Sequence, residues 1–104
     1  MDKLIITACA ADTSMHPGVP ARIAASNALA AEVEKAWRAG AGIAHIHGPL
    51  DDHKVWAEHT QAIRARCDVM IQYGISLQSV ERRREVVKNR PEMISVAVGA
   101  RHYA

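Results

Sequence analysis

The sequence predicts an α/β protein whose parallel strands are joined by helices. Three segments with helical spacing of apolar residues alternate with four apolar, strand-like runs, at about residues 4–10, 43–47, 69–75 and 93–98. Polar side chains collect just after the runs, where α/β proteins place their sites. This β-α-β-α-β-α-β order implies parallel strands with right-handed crossovers. Units of roughly 25 to 35 residues suit either a doubly wound sheet or a β/α barrel.

Length and composition are those of one small globular domain, residues 1–104. Apolar residues make up 49% of the chain and charged residues 23%, values that exclude a disordered or low-complexity protein. The net charge is +2. The one basic cluster, Arg82-Arg83-Arg84, has almost no aromatic residues nearby for base stacking. We therefore expect no nucleic-acid partner.

The cysteines and the first apolar run indicate a cytoplasmic protein. Cys9 and Cys67 form no C-x-x-C pair and suggest no disulfide framework, so a reducing compartment is the natural setting. The run at 4–10 is too short for a signal peptide or a membrane span, and Asp12 closes it. We expect no membrane partner.

The first half of the chain is predicted to form a strand, a long loop and a helix. The continuous apolar run 4–10 suits a strand covered on both faces. Turn-forming residues make the segment 11–25 a loop longer than most βα connections. Ser26 or Asn27 is expected to cap a helix that continues to Arg38. The buried stripe of this helix consists of Leu29, Val33 and Trp37.

The second half repeats the alternation. A turn-rich loop that includes His53 precedes a helix from about Val55 to Arg66. After the third strand, Ser79 is expected to cap a third helix, which Pro91 ends. The narrow apolar face of that helix is formed by Val80, Arg84, Val86 and Val87.

Two histidines on the second strand form the central motif. Side chains alternate between the faces of a strand, so His45 and His47 share one face. Neutral imidazole is the commonest zinc ligand, and a strand holds two imidazoles a few ångströms apart. The pair is therefore a candidate edge of a metal site. The motif alone leaves open an alternative, in which neighbouring polar groups satisfy both histidines.

The loops after the strands contain no nucleotide-binding motif. The sequence has neither a G-x-G-x-x-G nor a Walker loop, which removes the main support for a Rossmann or P-loop protein. The other polar residues that follow the strands are Asp12, His16, Ser76, Arg101 and His102.

Several segments of the chain resemble the β-keto acid cleavage enzymes. They are Leu4-Ile5-Ile6-Thr7-Ala8, the Ala39-Gly40-Ala41 that precedes His45-Ile46-His47, the Ile71-Gln72 strand, and Pro91-Glu92-Met93. The resemblance spans nearly the whole chain but only the N-terminal part of that family's fold. It implies the N-terminal half of a (β/α)8 TIM-type barrel, with His45 and His47 as ligands of zinc.

The resemblance also implies a reaction. Enzymes of this family exchange a carbon–carbon bond between a β-keto acid and acetyl-CoA, and they produce acetoacetate and an acyl-CoA. Zinc is expected to act as a Lewis acid on the oxygens of the keto acid. In the family a carboxylate from a late strand completes the ligand set, and this chain ends before that strand.

Substrate-binding residues are expected at the strand ends. Gly74 aligns with a serine of the family, and Ser76 is the candidate replacement for its hydroxyl. Asp12 either orients a histidine or a substrate ammonium or is an ordinary loop acid. Arg101 either binds a carboxylate or a CoA phosphate or is a surface arginine.

Two alternatives to this enzyme remain open. Four strands cannot close a barrel, which needs roughly 250 residues. The chain is therefore either part of a longer enzyme or a half-barrel that pairs with another copy or chain, and we expect a homo-oligomer. Such a half-barrel could be a non-catalytic module that binds metal or a partner chain. Metal-dependent hydrolases of the amidohydrolase type also carry H-x-H, but on the first strand of their barrel.

Overall fold

The computed structural model of the protein describes residues 3–10, 22–49, 52–76 and 78–96. Within these ranges strands and helices alternate, which confirms the predicted α/β class. The elements are β1 (Thr7–Cys9), α1 (Arg22–Arg38), β2 (Ile43–Ile46), α2 (His53–Arg64), β3 (Met70–Gly74), α3 (Val80–Val86), a 3-10 turn (Val87–Asn89) and β4 (Met93–Ser95). No helix in the described ranges is long and apolar enough to cross a membrane.

The four strands form one parallel sheet in the order β1-β2-β3-β4. Each strand therefore pairs with the strand that follows it along the chain. A doubly wound sheet reverses its strand order at a switch point, and the four described strands show no such reversal. Sequential parallel strands joined by helices are the arrangement of a (β/α)8 barrel. The fold is thus consistent with the predicted part of a TIM-type barrel.

The hydrophobic core lies between one face of the sheet and the helices. Alternate residues of β2 and β3 point toward α1 and α2 and are buried: Ala44, Ile46, Ile71 and Tyr73. The helices contribute Leu29, Val33, Trp56 and Ile63 to the same cluster. The opposite face of the sheet carries His45 and Gln72, which pair with each other in the β2–β3 register. The helices therefore leave the histidine face of the sheet uncovered within the described part of the chain.

The first helix begins earlier than the sequence suggests. α1 starts at Arg22, so the prediction that Ser26 or Asn27 caps it is wrong. Ser26 is buried inside the helix, and its Oγ lies 2.7 Å from Nδ1 of His59 on α2. The serine hydroxyl therefore forms a hydrogen bond between two helices and is not available to cap a helix end.

The second helix also begins before its predicted first residue. His53, expected in a turn, is the first residue of α2. Asp52 caps the helix, because its carboxylate accepts a hydrogen bond from the backbone N–H of Lys54 at 3.1 Å. Cap and helix together place Trp56 one turn into α2, where it is buried and donates its indole N–H to the carbonyl of Pro49 at 2.9 Å.

The first apolar run is not covered on both faces, contrary to the prediction. Leu4 is 89% exposed and Ile5 79% exposed. β1 lies at the edge of the described sheet and pairs only with β2 there. An edge strand has one neighbour, and the described helices pack mainly over β2 and β3. The apolar run is therefore an open surface of this structure.

The third helix has its predicted cap but a smaller apolar face. The Oγ of Ser79 accepts a hydrogen bond from the backbone N–H of Arg82 at 3.3 Å, which confirms the cap. Val86 is buried, whereas Val80 is 55% exposed and Val87 37% exposed. The predicted apolar stripe is thus reduced to one buried valine.

A cluster of hydrogen bonds and an ion pair connects the segment before β4 to α2 and β3. Arg64 donates hydrogen bonds to the carbonyls of Asn89 and Arg90 and to the carboxylate of Glu92. The second carboxylate oxygen of Glu92 accepts from the backbone N–H of Ile71 at 2.7 Å. Partial burial raises the pKa of Glu92, but the hydrogen bonds outweigh this effect and hold the pKa below its usual value.

Candidate metal centre

The two histidines meet at the carboxyl end of β2. His45 is the third residue of the strand, and His47 follows its last residue. Their Nε2 atoms are 3.2 Å apart, and the two ring planes are nearly perpendicular, at 79°. In α/β barrels this end of the strands forms the site. The structure therefore brings the two imidazoles together on the uncovered face, as the strand alternation predicts.

The Nδ1 atom of each imidazole is hydrogen bonded to an oxygen of a β3 residue, on the side of the ring away from the other histidine. Nδ1 of His45 lies 2.6 Å from the side-chain oxygen of Gln72, which is the residue opposite His45 in the strand register. Nδ1 of His47 lies 3.0 Å from the backbone carbonyl oxygen of Gly74. Outer hydrogen bonds of this kind fix the ring orientation of metal-binding histidines.

These partners also decide where the ring protons are. The carbonyl oxygen of Gly74 can only accept, so Nδ1 of His47 carries a hydrogen and Nε2 presents a lone pair. The amide oxygen of Gln72 has the same effect on His45. Two Nε2 lone pairs then face each other across 3.2 Å. Such a pair is repulsive unless a cation lies between the two nitrogens.

The spacing of the nitrogens suits a metal ion as that cation. In a tetrahedral zinc site with zinc–nitrogen bonds of about 2.0–2.1 Å, two ligand nitrogens are about 3.4 Å apart. The observed 3.2 Å between the Nε2 atoms of His45 and His47 is close to this value. A proton shared by the two imidazoles is the competing cation, and it requires no third ligand.

Gly74 leaves the space that the two rings occupy. A Cβ built on Gly74 would lie 2.4 Å from Cε1 of His47 and 2.7 Å from Nε2 of His45. Both separations are far below van der Waals contact, and the rings are held by hydrogen bonds behind them. The absence of a side chain at Gly74 is therefore a condition of the observed histidine pair.

Cys9 is the third potential ligand, and the sequence interpretation gave it no site role. One ligand atom each from Cys9, His45 and His47 lie within 4.8 Å of one another. Cys9 ends β1 and is opposite His45 in the β1–β2 register. The sequence does place Cys9 at the end of the first strand. The candidates at that strand, however, were chosen from the polar residues that follow it, such as Asp12.

The other predicted site residues are not part of this cluster as described. Asp12 and Arg101 lie outside the described residues, as do His16 and His102. Ser76 follows β3 and is partly buried, and its carbonyl accepts a hydrogen bond from Arg83 at 2.8 Å. The substrate contacts of Asp12, Gly74, Ser76 and Arg101 stay predictions.

The donor set defines the chemistry that this site can support. Two imidazole nitrogens and a sulfur are ligands that zinc accepts and that magnesium and calcium do not prefer. Among the described residues the cluster contains no carboxylate. Three protein ligands leave one tetrahedral position for water or substrate. The residues present therefore fit a zinc ion with an open coordination position.

Comparisons with known proteins agree with the fold. A sequence model of the beta-keto acid cleavage enzymes matches residues 3–104. A 3-keto-5-aminohexanoate cleavage enzyme from Fusobacterium nucleatum subsp. nucleatum is 33% identical to the chain over 114 aligned residues. That alignment covers 95% of this chain and 40% of the relative. The chain thus spans well under half the length of the relative it matches.

Proposed function

Because the chain belongs to the beta-keto acid cleavage enzyme family, we propose that it supplies the metal-binding strands of an enzyme that cleaves β-keto acids. In the proposed reaction, a β-keto acid and acetyl-CoA exchange a carbon–carbon bond to give acetoacetate and an acyl-CoA. The chain spans 40% of the length of its Fusobacterium relative. The activity is therefore proposed for the complete barrel that contains these strands.

The observation that supports the proposal is the geometry of the histidine pair. Nε2 of His45 and Nε2 of His47 are 3.2 Å apart, and each Nδ1 is engaged by a β3 acceptor. Both rings are therefore oriented with a lone pair toward a common point. Hydrogen bonds to the Nδ1 atoms of both rings are typical of metal-binding histidines, whose orientation they fix.

His45 and His47 would hold the zinc ion, and Gln72 and Gly74 position them. When bound, zinc supplies Lewis-acid stabilisation of negative charge on the keto-acid oxygens. The hydrogen bond from His47 to the Gly74 carbonyl keeps Nε2 free of a proton. The side chain of Gln72 does the same for His45. These two contacts hold both ligands ready before substrate binds, which removes a cost of ordering them.

Substrate would approach the carboxyl ends of the strands, where β/α barrels place their sites. Gly74 ends β3 and lies directly beside the histidine pair. Ser76 follows it two residues later in the chain. We propose the hydroxyl of Ser76 as a hydrogen-bond donor to the keto acid. Asp12 and Arg101 follow β1 and β4 in sequence, and we propose them as contacts for the polar groups of the substrate or of CoA.

The test uses the protein purified from its native source at its native length. We expect about one zinc ion per chain by elemental analysis, and formation of acetoacetate from acetyl-CoA and a panel of β-keto acids. His47→Ala should abolish the exchange, whereas the matched variant His53→Ala, at the exposed start of α2, should retain it. Zinc-containing protein that exchanges no keto acid of the panel would contradict the proposed reaction.

A second candidate function rests on the open edges of the sheet. Exposed apolar side chains flank both outer strands: Leu4 and Ile5 before β1, and Ile94 and Val96 in or after β4. Such edges favour association with another copy of the chain. In this alternative the half-barrel is a non-catalytic module that assembles with itself. Sedimentation of the 104-residue chain as a monomer at micromolar concentration would contradict self-association.

A further inference from the structure

We propose that Cys9 is a third ligand of the metal held by His45 and His47, so that residues of this chain contribute two nitrogens and one sulfur to the site. The inference rests on the proposed metal centre and adds a ligand to it. It follows from the β1–β2 register, which places Cys9 opposite His45 on the same face of the sheet. In a parallel pair, residues in register direct their side chains to the same side.

The distances allow the sulfur to reach the metal with little movement. In a tetrahedral zinc site, with bonds of about 2.3 Å to sulfur and about 2.0–2.1 Å to nitrogen, a sulfur and a nitrogen are about 3.6 Å apart. The ligand atoms of Cys9, His45 and His47 lie within 4.8 Å of one another. The gap to be closed is therefore at most about 1.2 Å. Rotation of the thiol about its Cα–Cβ bond is sufficient for a shift of this size, because Cys9 is exposed.

The histidines are less free to move than the cysteine. His45 and His47 are each hydrogen bonded to β3, so the two nitrogens define the position of the ion. Cys9 then closes the site from the neighbouring strand β1. On binding, the thiol loses its proton to solvent and the thiolate forms the bond to the metal. These three ligands leave one position of a tetrahedral site for a group from outside this chain segment.

The other cysteine provides the contrast. Cys67 follows α2, is 8% exposed and belongs to the hydrophobic core cluster. It is not among the residues that form the described cluster of potential ligands. A buried cysteine of this kind behaves as a small apolar side chain. Cys9 and Cys67 therefore make a matched pair for a test by substitution.

The test is a titration of the protein with cobalt(II), which replaces zinc and reports its ligands by absorption. Thiolate ligation gives an intense charge-transfer band in the near ultraviolet, whereas nitrogen and oxygen ligands give only weak visible bands. We expect the intense band in the wild-type protein and in Cys67→Ala, in which Cys9 is the only cysteine that remains among residues 1–104. Cys9→Ser should lose the intense band, keep weak visible bands, and bind zinc at least about tenfold more weakly.

The outcomes separate the inference from the proposed function. Cobalt that binds stoichiometrically without a charge-transfer band, or with a band that persists in Cys9→Ser, would overturn ligation by Cys9 and leave the histidine site in place. No cobalt or zinc binding by the wild-type protein would overturn both. Circular dichroism of Cys9→Ser verifies the fold, which we expect to be unchanged because the side chain is exposed.

Discussion

The backbone of Gly74 forms a hydrogen bond to His47, and the absence of a side chain at Gly74 leaves space for the His47 ring. The Gly74 carbonyl accepts a hydrogen bond from Nδ1 of His47 at 3.0 Å. A Cβ at the same residue would lie 2.4 Å from Cε1 of the same ring. One residue therefore sets the orientation of the imidazole and the space available to it. In this structure the two histidine rings occupy the space that a side chain at residue 74 would fill.

Substitution of Gly74 by alanine should damage the metal site more than the fold. The added Cβ must displace the rings of His45 and His47, and we expect zinc affinity to fall by at least about tenfold. Gly42→Ala is the control, because a Cβ there meets nothing within 4 Å. Isothermal titration calorimetry measures the zinc affinity of both variants. Equal zinc affinity of Gly74→Ala and the wild-type protein would contradict the assignment.

Gln72 should control zinc affinity without touching the metal. Gln72→Leu removes the acceptor for Nδ1 of His45, so that ring can rotate or exchange its proton between the nitrogens. Loss of such an outer partner typically costs about 10- to 100-fold in metal affinity. Gln61→Leu, at an exposed position of α2, is the matched control. The prediction is wrong if the two leucine variants bind zinc equally.

Glu92 should make the protein sensitive to acid. Its folded-state pKa is lowered, since the hydrogen bonds from Ile71 and Arg64 outweigh the effect of partial burial. A lowered pKa contributes stability above the unfolded-state pKa of about 4.3, and this stability is lost as pH falls through the folded-state value. Glu92→Gln should therefore flatten the decline in unfolding free energy between about pH 5 and pH 3.

Urea unfolding at several pH values measures this decline. Glu32→Gln is the control, because the described ion pair of Glu32 is an exposed one with Lys35 at 3.6 Å, and such pairs contribute little. If the unfolding free energy of Glu92→Gln and of the wild-type protein declines equally as pH falls, Glu92 does not cause the acid sensitivity.

Tyr73 should have the opposite dependence on pH. Burial raises the pKa of Tyr73, and this effect outweighs the contacts that lower it. A raised pKa contributes stability that is present below the unfolded-state value of about 10 and is lost as pH rises through the folded-state value. Tyr73→Phe should therefore unfold less steeply with pH above about 9.5.

The same variant tests a buried hydrogen bond at neutral pH. Thr60 donates its hydroxyl to the carbonyl of Trp56 at 2.7 Å, so the Tyr73 hydroxyl donates to Thr60 in turn. Tyr73→Phe leaves Thr60 with one partner and should cost about 0.5–1.5 kcal/mol. Chemical denaturation at pH 7 measures this cost, and a more stable Tyr73→Phe protein would contradict it.

Local patterns were sufficient to predict the alternation of strands and helices and the shared face of the two histidines. Alternation along a strand has a period of two residues, so His45 and His47 share a face whatever the rest of the fold does. The alternation of strands and helices likewise predicts the parallel sheet. The serine cap of α3 is also local, because it needs only Ser79 and the next three residues.

The remaining features depend on contacts between distant segments. Cys9 and Gln72 join the site only through the register of β1 and β3 with β2, which no single segment determines. Ser26 resembles a helix cap in sequence, but α1 begins at Arg22, and Ser26 lies inside it, hydrogen bonded to His59 of α2. The apolar run before β1 predicts burial, yet burial requires a covering layer that the described chain does not place there.

Zinc stoichiometry in histidine variants is the most direct test of the central claim, that His45 and His47 hold a metal ion. The measurement is elemental analysis of His45→Ala and His47→Ala, with His53→Ala as the control, after zinc loading and gel filtration. We expect about one zinc per chain in the wild-type protein and in His53→Ala, and close to none in the other two variants. Full zinc content in either His45→Ala or His47→Ala would contradict the metal centre.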